Sequence, residues 1–502
     1  MIIIQKKKTG IGTFNLLRIK LLIFGILVIN YLGCVTTYKL PTASVNHNFD
    51  NALINKTIGI HKQNNIAYSP NSKDEVLYYL DMGMLYYYAG NYKLSNDLLT
   101  KAELSIENNF TKSLSQYGAS LILDDRSLNY YGEDYEDIYL NVFKSLNYIK
   151  LDNFEAAGVE IRRVNEKLTL LQDKYDKLTR VMNSSENAKK IKRSFKTSNV
   201  RFYNSALSRY ISSICYCHER EYDDARIDIQ HIYSAFRQQR NMYGFSIPKR
   251  ILKKYKCLDR NEPEICLKEK SSANINVISF TGRMPEKKIK TYWIITKKNC
   301  IFIANKKNGS GNIDVISWPG IKSGYHLKFA LPYLEKRKNY VKTIAFYIDN
   351  KKYILEKLED MANIAMETFN HKKNLIYLKT IVRATIKGII AADIKRKIEN
   401  KYYDKKTKKK KTPSWGDLLW IEAQKLIIDA IVEAIENADK RASSFFPALA
   451  YMGNFDVKPG YHNIKIVYFN KNNKVIKIKD YGKQLIKLNG LNLFQSSFYG
   501  IN

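Results

Sequence analysis

From residue 74 to 245, apolar positions recur at every third and fourth residue, with few prolines or glycines between them. That period predicts helices. Three stretches share a layout: 74–107 (DEVLYYLDMGMLYYYAGNYKLSNDLLTKAELSIE), 137–167 (DIYLNVFKSLNYIKLDNFEAAGVEIRRVNEK) and 200–233 (VRFYNSALSRYISSICYCHEREYDDARIDIQHIY). Each places an aromatic on a first helix, then a short turn, then an aromatic opening a second helix. The pairs are Tyr86 with Tyr92, Tyr148 with Phe154, and Tyr216 with Tyr222. Ser95, Ala157 and Ala225 follow the second aromatic by three, and Leu99, Ile161 and Ile229 lie four further on. A small residue lets two helices approach, and the aromatics fill the space between them. The stretch 171–196 (LQDKYDKLTRVMNSSENAKKIKRSFK) lies between the second and third copies; it is polar and is expected to be exposed.

From about residue 273 the period changes to two. NINVISF, KTYWIITKK, CIFIAN and YVKTIAFYID read as strands, with NGSGN as a hairpin turn. That glycine-rich turn lacks the following helix and the lysine of a phosphate-binding loop. Helical pattern returns from Leu355 to Asn400 and again from Trp415 to Lys440. Strands close the chain in FDVKPGYHNIKIVYF and KVIKIKDYG. The three early copies resemble the tetratricopeptide repeat, a helix pair of 34 residues. The expected fold class is therefore α+β: an N-terminal tetratricopeptide-like helical region at 74–245, followed by a mixed α/β domain at 273–502.

The N-terminus sets the compartment. Lys6, Lys7, Lys8, Arg18 and Lys20 precede an apolar run, Leu21–Leu32, that only Asn30 interrupts. A basic start and a short apolar core are the parts of an export signal, and the core is too short for a spanning helix. Leu32-Gly33-Cys34 resembles the lipobox of bacterial lipoproteins, with Tyr31 where the usual pattern has leucine. The resemblance implies cleavage before Cys34 and lipid attachment there. Residues 1–33 would be the signal peptide and 34–73 a tether. Several acyl chains, at roughly 0.8 kcal/mol for each buried CH₂, hold a protein firmly on a bilayer.

The chain carries a net charge of +35, and the five basic residues ahead of Cys34 leave +30 for the remainder. Such an excess fits an anionic partner, either a cell-wall or lipid polymer or a membrane. It also follows from a composition rich in Lys, Asn, Ile and Tyr together. Export argues against nucleic acid. The segment 401–414 is a basic linker whose run Lys408–Lys411 repels itself and stays solvated. Cys257 and Cys266 flank a short proline-containing loop and could pair in an oxidising compartment. No Cys/His spacing resembles a zinc site, and neither a metal nor a cofactor is expected.

Three segments together resemble a family of uncharacterised bacterial tetratricopeptide lipoproteins: 139–167, INVISFTGRMPEKK (275–288) and YLKTIVRATIKGIIAADIKRK (377–397). In the first of these, AAGVEIRR has Gly158 where the family has arginine. The family's G-x-A-P-x-K turn matches Gly282 and Pro285, with Met284 replacing alanine. Its R-x-x-x-K helix matches Arg383 and Lys387. The resemblance implies helical repeats preceding a mixed α/β domain, and it supplies no catalytic activity.

Asp124-Asp125 and Glu133, Asp134, Glu136 and Asp137 are the candidate acids for hydrolytic chemistry. An acidic first turn suits a helix dipole equally well. No catalytic residue is therefore assigned. Arg162 and Arg163 fall on the second helix of a repeat, either facing a binding groove or pairing with acids of the chain. Thr380, Arg383 and Lys387 share one helix face. The expected function is that of a membrane-anchored envelope lipoprotein, a non-catalytic scaffold that binds another envelope protein or peptide through its helical repeats. The alternative is binding of an anionic wall or lipid polymer through a basic surface.

Overall fold

The computed structural model describes residue 54, residues 57–59, and residues 69–498 apart from 120–124, 126–127, 190, 192, 268–271, 307–309 and 401–437. Cys34, the linker 401–414 and most of the helix expected at 415–440 lie outside the described residues. The fold is mixed α+β, with helices in the N-terminal half and sheets in the C-terminal part.

Three helix pairs form first: α1 (Glu75–Tyr88) with α2 (Tyr92–Ala119), and α3 (Asp134–Lys150) with α4 (Phe154–Ser184). After a single turn of helix, α5 (Glu186–Lys189), comes α6 (Ala206–Glu219) with α7 (Tyr222–Gln238). Every pair turns on a left-handed residue two positions before its second aromatic: Gly90 (φ 78°), Asp152 (φ 54°) and Arg220 (φ 66°). Asn91 and Asn153 cap the helices that follow, accepting from Leu94 N at 3.2 Å and Ala156 N at 3.0 Å.

Inside the first pair, a Cβ on Gly83 would lie 2.7 Å from Leu99. Ser95 Oγ uses the close approach to donate to Gly83 O at 2.8 Å. Leu99, Ala157, Ile161, Ala225 and Ile229 are buried, and all six aromatic anchors pack partly buried against the same core. The 171–196 stretch is not the wholly exposed insertion that its polarity suggested. Leu171, Tyr175, Leu178 and Met182 continue the buried stripe of α4 at helical spacing.

Two short helices follow, α8 (Lys249–Leu258) and α9 (Pro263–Leu267), joined by a Cys257–Cys266 disulfide with the Cα atoms 5.7 Å apart. The strands are β1 (Ala273–Thr281), β2 (Glu286–Lys297), β3 (Cys300–Ala304), β4 (Asn312–Ser317), β5 (His326–Glu335), β6 (Thr343–Ile348), β7 (Lys351–Ile354) and β8 (Glu356–Glu359). After α10 (Met361–Asn400) come β9 (Leu449–Val457), β10 (Gly460–Phe469), β11 (Val475–Ile486) and β12 (Leu493–Phe498). The helix expected from Leu355 begins six residues later. Residues 356–359 pair with β9 instead, and Asp360 caps the helix by accepting from Asn363 N at 2.9 Å.

The chain divides into two compact units. The larger holds residues 43–290, 331–380 and 438–502, and it is layered. The helices cover one face of a sheet ordered β12-β1-β9-β8, and a second sheet, β11-β10-β6-β7, covers the other. Strand β1 shows why. All nine of its residues are buried; Ile278 and Phe280 join the helical core, whereas Ala273, Ile275 and Val277 join the core between the sheets. A strand covered on both faces reads as a nearly continuous apolar run, as NINVISF does. In the smaller unit, residues 291–330 contribute to the sheet β4-β3-β2-β5, where Ile294, Ile301, Ile303 and Phe329 are buried.

Candidate functional site

The first helices of the pairs, α1, α3 and α6, would line any groove that the helical region offered. Their side chains reach instead to the chain's own later segments. Tyr139 OH donates to Glu359 Oε1 of β8 at 2.6 Å, and Tyr210 OH donates to Asn276 Oδ1 of β1 at 3.0 Å. Tyr87 OH donates to Gln495 Oε1 of β12 at 3.1 Å, and Lys150 Nζ to Leu493 O at 3.2 Å. The Glu359 carboxylate also accepts from Leu207 N at the start of α6, at 2.9 Å, and from Tyr243 OH, beyond the end of α7, at 2.7 Å. Burial pushes its pKa up despite those donors.

Residues 438–448 run across α1 and α3 as an irregular strap ending at β9. Arg441 Nη1 donates to Asp74 Oδ1 at 3.0 Å, and Ser443 Oγ to Asp81 Oδ1 at 2.5 Å. Ser443 N donates to Glu136 Oε1 at 2.5 Å, and Tyr88 OH to Phe445 O at 2.8 Å. Phe446 is fully buried, with its ring 5.8 Å from that of Phe143. Backbone polar groups and an aromatic side chain of the strap are therefore both engaged by the helices.

The acidic cluster before α3 is consumed by folding. Glu133 is the N-cap, in a capping box with Glu136, and Asp134, Glu136 and Asp137 occupy the first turn. Lys287 and Lys372 both pair with Glu133, the latter at 2.7 Å, and Lys174 pairs with Asp134 at 2.8 Å. Burial alone would raise the Glu133 carboxyl; the two lysines outweigh it and hold the group below the usual range. Glu136, fully buried, behaves oppositely: burial and the adjacent Glu133 charge push it up to about 7. Of the Asp124-Asp125 pair, Asp125 pairs with Lys379, and Asp124 lies outside the described residues.

A second ionic knot joins α2, α3 and α4. Glu103 takes Lys144 at 2.8 Å, Lys167 at 2.9 Å and Arg163 at 3.0 Å, while Lys144 also reaches Glu160 at 3.0 Å. Arg163 thus pairs with an acid of the preceding helix pair and keeps its side chain 47% exposed; Arg162 is exposed. Gly282 (φ 69°) and Pro285 form the connection from β1 to β2. A Cβ on Gly282 would meet Ala448 at 3.1 Å, so the turn sits tightly against the end of the strap. Arg383 is buried and Lys387 half-buried on the part of α10 that belongs to the smaller unit, whereas Arg162 and Arg163 belong to the larger.

No protein family, curated protein or solved structure matches the chain. Lys287, Lys372, Arg441 and Ser443 were not singled out as site residues in the sequence. Apart from Asp439, which pairs with Arg441 from two residues away, the partners named above are more than 150 residues distant, and only Lys287 stands in a quoted motif, as the last residue of GRMPEK.

Proposed function

We propose that the chain is a lipid-anchored envelope protein, attached through Cys34, that acts by binding and not by catalysis. The aromatic anchors and left-handed turns common to the three helix pairs support reading them as degenerate tetratricopeptide repeats. The disulfide between Cys257 and Cys266 supports an oxidising compartment. Among the described residues, no helix is long and apolar enough to cross a membrane.

One observation carries the reading. The inner faces of α1, α3 and α6 already hold the strap and the first sheet, so the helical array grips a segment in cis as such arrays grip partners. Contact with another envelope protein therefore falls to the outward side of the second helices. There Leu104 of α2, Leu170 of α4 and Ile227 of α7 are 55%, 49% and 39% exposed.

Photo-crosslinking residues placed at these three positions in cells test the assignment. Capture of one defined envelope protein from them is the expected result. Recovery of the uncrosslinked chain alone from all three would refute the scaffold function. Fatty-acid labelling of the wild type and of Cys34→Ala tests the anchor separately.

A further inference from the structure

The second sheet turns its inner face to the first sheet; on its outer face the flanking strands and the N-terminal end of β10 are exposed, whereas Val467 and Ala345 at the centre are buried. Strand register places the outer side chains in rows. One row runs Ile478–Val467–Ala345–Ile354 across β11, β10, β6 and β7. The neighbouring row runs Asp480–Lys465–Tyr347–Lys352, and towards the other end of β10 come Lys483–Asn463 and then Leu485–Tyr461.

Tyr461 is 64% exposed, Ile478 53%, Ile354 51% and Leu485 49%. The lysines are laid over aromatic rings: Lys352 is 4.8 Å from the Phe469 centroid, Lys465 5.0 Å from Tyr347, and Lys483 5.2 Å from Tyr461. The acids near the face are engaged by its own turns. Asp480 accepts from Gly482 N at 2.8 Å, and Asp349 accepts from Asn463 N at 2.9 Å and bonds His462.

We propose that this outer face is a docking surface for an anionic phospholipid bilayer. It deepens the basic-surface reading and does not depend on the protein-scaffold function or on Cys34. Two features of the chemistry select the occupant. A soluble polyanion would pair with the lysines but leave Ile354, Ile478 and Leu485 in water. The centre of a protein–protein interface is depleted in lysine, whereas here the lysines alternate with the apolar rows. The boundary between headgroups and acyl chains accepts both: exposed aliphatics enter it while lysine stems lie along it with their ammonium groups at the phosphates.

The test is lysine footprinting of the full-length protein reconstituted into vesicles. One set is phosphatidylcholine alone and the other is mixed with phosphatidylglycerol; a water-soluble acylating reagent is read out by mass spectrometry. Lys352, Lys465 and Lys483 should be protected only in the mixed vesicles. The protection should vanish at about 1 M salt, where screening acts beyond about 3 Å. Lys177, exposed on α4, should react equally in both sets and serves as the control.

Lys465→Glu combined with Lys483→Glu should weaken protection of Lys352 by at least about tenfold. Tyr461→Ser combined with Leu485→Ser should also weaken it, while helix content by circular dichroism stays unchanged. Equal reactivity in the two vesicle sets would overturn the proposal. So would protection that salt does not reverse, or protection by soluble polyphosphate that survives the Tyr461→Ser, Leu485→Ser pair. None of these outcomes bears on labelling at Cys34 or on capture of a protein partner.

Discussion

Glu103 allows the ionic knot between the first two helix pairs to be tested quantitatively. Burial would raise its carboxyl, but Lys167 and Lys144 outweigh burial and hold it at about 2, against an ordinary value of 4.5. At about 1.4 kcal/mol per pH unit, that difference amounts to roughly 3 kcal/mol of stability at neutral pH. Because the folded value is depressed, the contribution is complete above pH 4.5 and disappears as pH falls towards 2. Glu103→Gln keeps the volume and removes the charge, and Glu160 remains at 3.0 Å to hold Lys144. Urea titrations followed by circular dichroism at 222 nm should show the variant weaker by about 3 kcal/mol at pH 7, narrowing to about 2 kcal/mol at pH 3.5. A difference below about 1 kcal/mol at pH 7, the range of exposed ion pairs, would refute the argument. A difference that does not change with pH would refute it equally.

Further outcomes follow from the buried groups. Glu136 is pushed up to about 7 by burial and the charge of Glu133, so its effect has the opposite sign. Stability is unpenalised below 4.5 and declines as pH rises through 7. Glu136→Gln should flatten the fall in melting temperature between about pH 5 and 8, and parallel profiles would show the assignment to be wrong. Phe446→Ala should cost about 3–5 kcal/mol and free the strap, so that trypsin cuts native protein at Lys440 or Arg441; an uncut strap would mean that its polar contacts suffice. The Cys215 thiol, buried and pushed up to about 12, should resist alkylation in the native protein while Cys217 and Cys300 react. Cys257 and Cys266 should become alkylatable only after reduction, and free thiols there before reduction would contradict the disulfide.

Helices and strands were legible wherever one face is buried. The anchors Tyr86, Tyr148 and Tyr216 announce helix pairs because neighbours at helical spacing must fill the same gap. The stripe Leu171, Tyr175, Leu178 and Met182 obeys the same rule and was masked by the lysines and aspartates around it. Short β7 and β8 were harder to see, since four residues give little alternation and Lys351–Ile354 is largely an exposed edge. The docking of the strap and the first sheet on the helices was not legible. It depends on pairings such as Tyr139 with Glu359 and Ser443 with Asp81, separated by 220 and 362 residues, and local pattern carries no information about them. The outer face of the second sheet was half visible: KVIKIKD alternates, but which of its two sets meets the core is set by its register with β10.

The last strand has a consequence for how the protein is made. β12 lies parallel to β1, and Gln495 and Leu493 take hydrogen bonds from Tyr87 and Lys150 of the first and third helices. These two contacts of the helices are therefore made only when residues 493–498 arrive, 408 positions after Tyr87 and 343 after Lys150. Contacts over such separations form slowly and leave partly folded chains exposed to aggregation. On the export route proposed above, such a delay would leave these contacts open until the final strand has crossed the membrane.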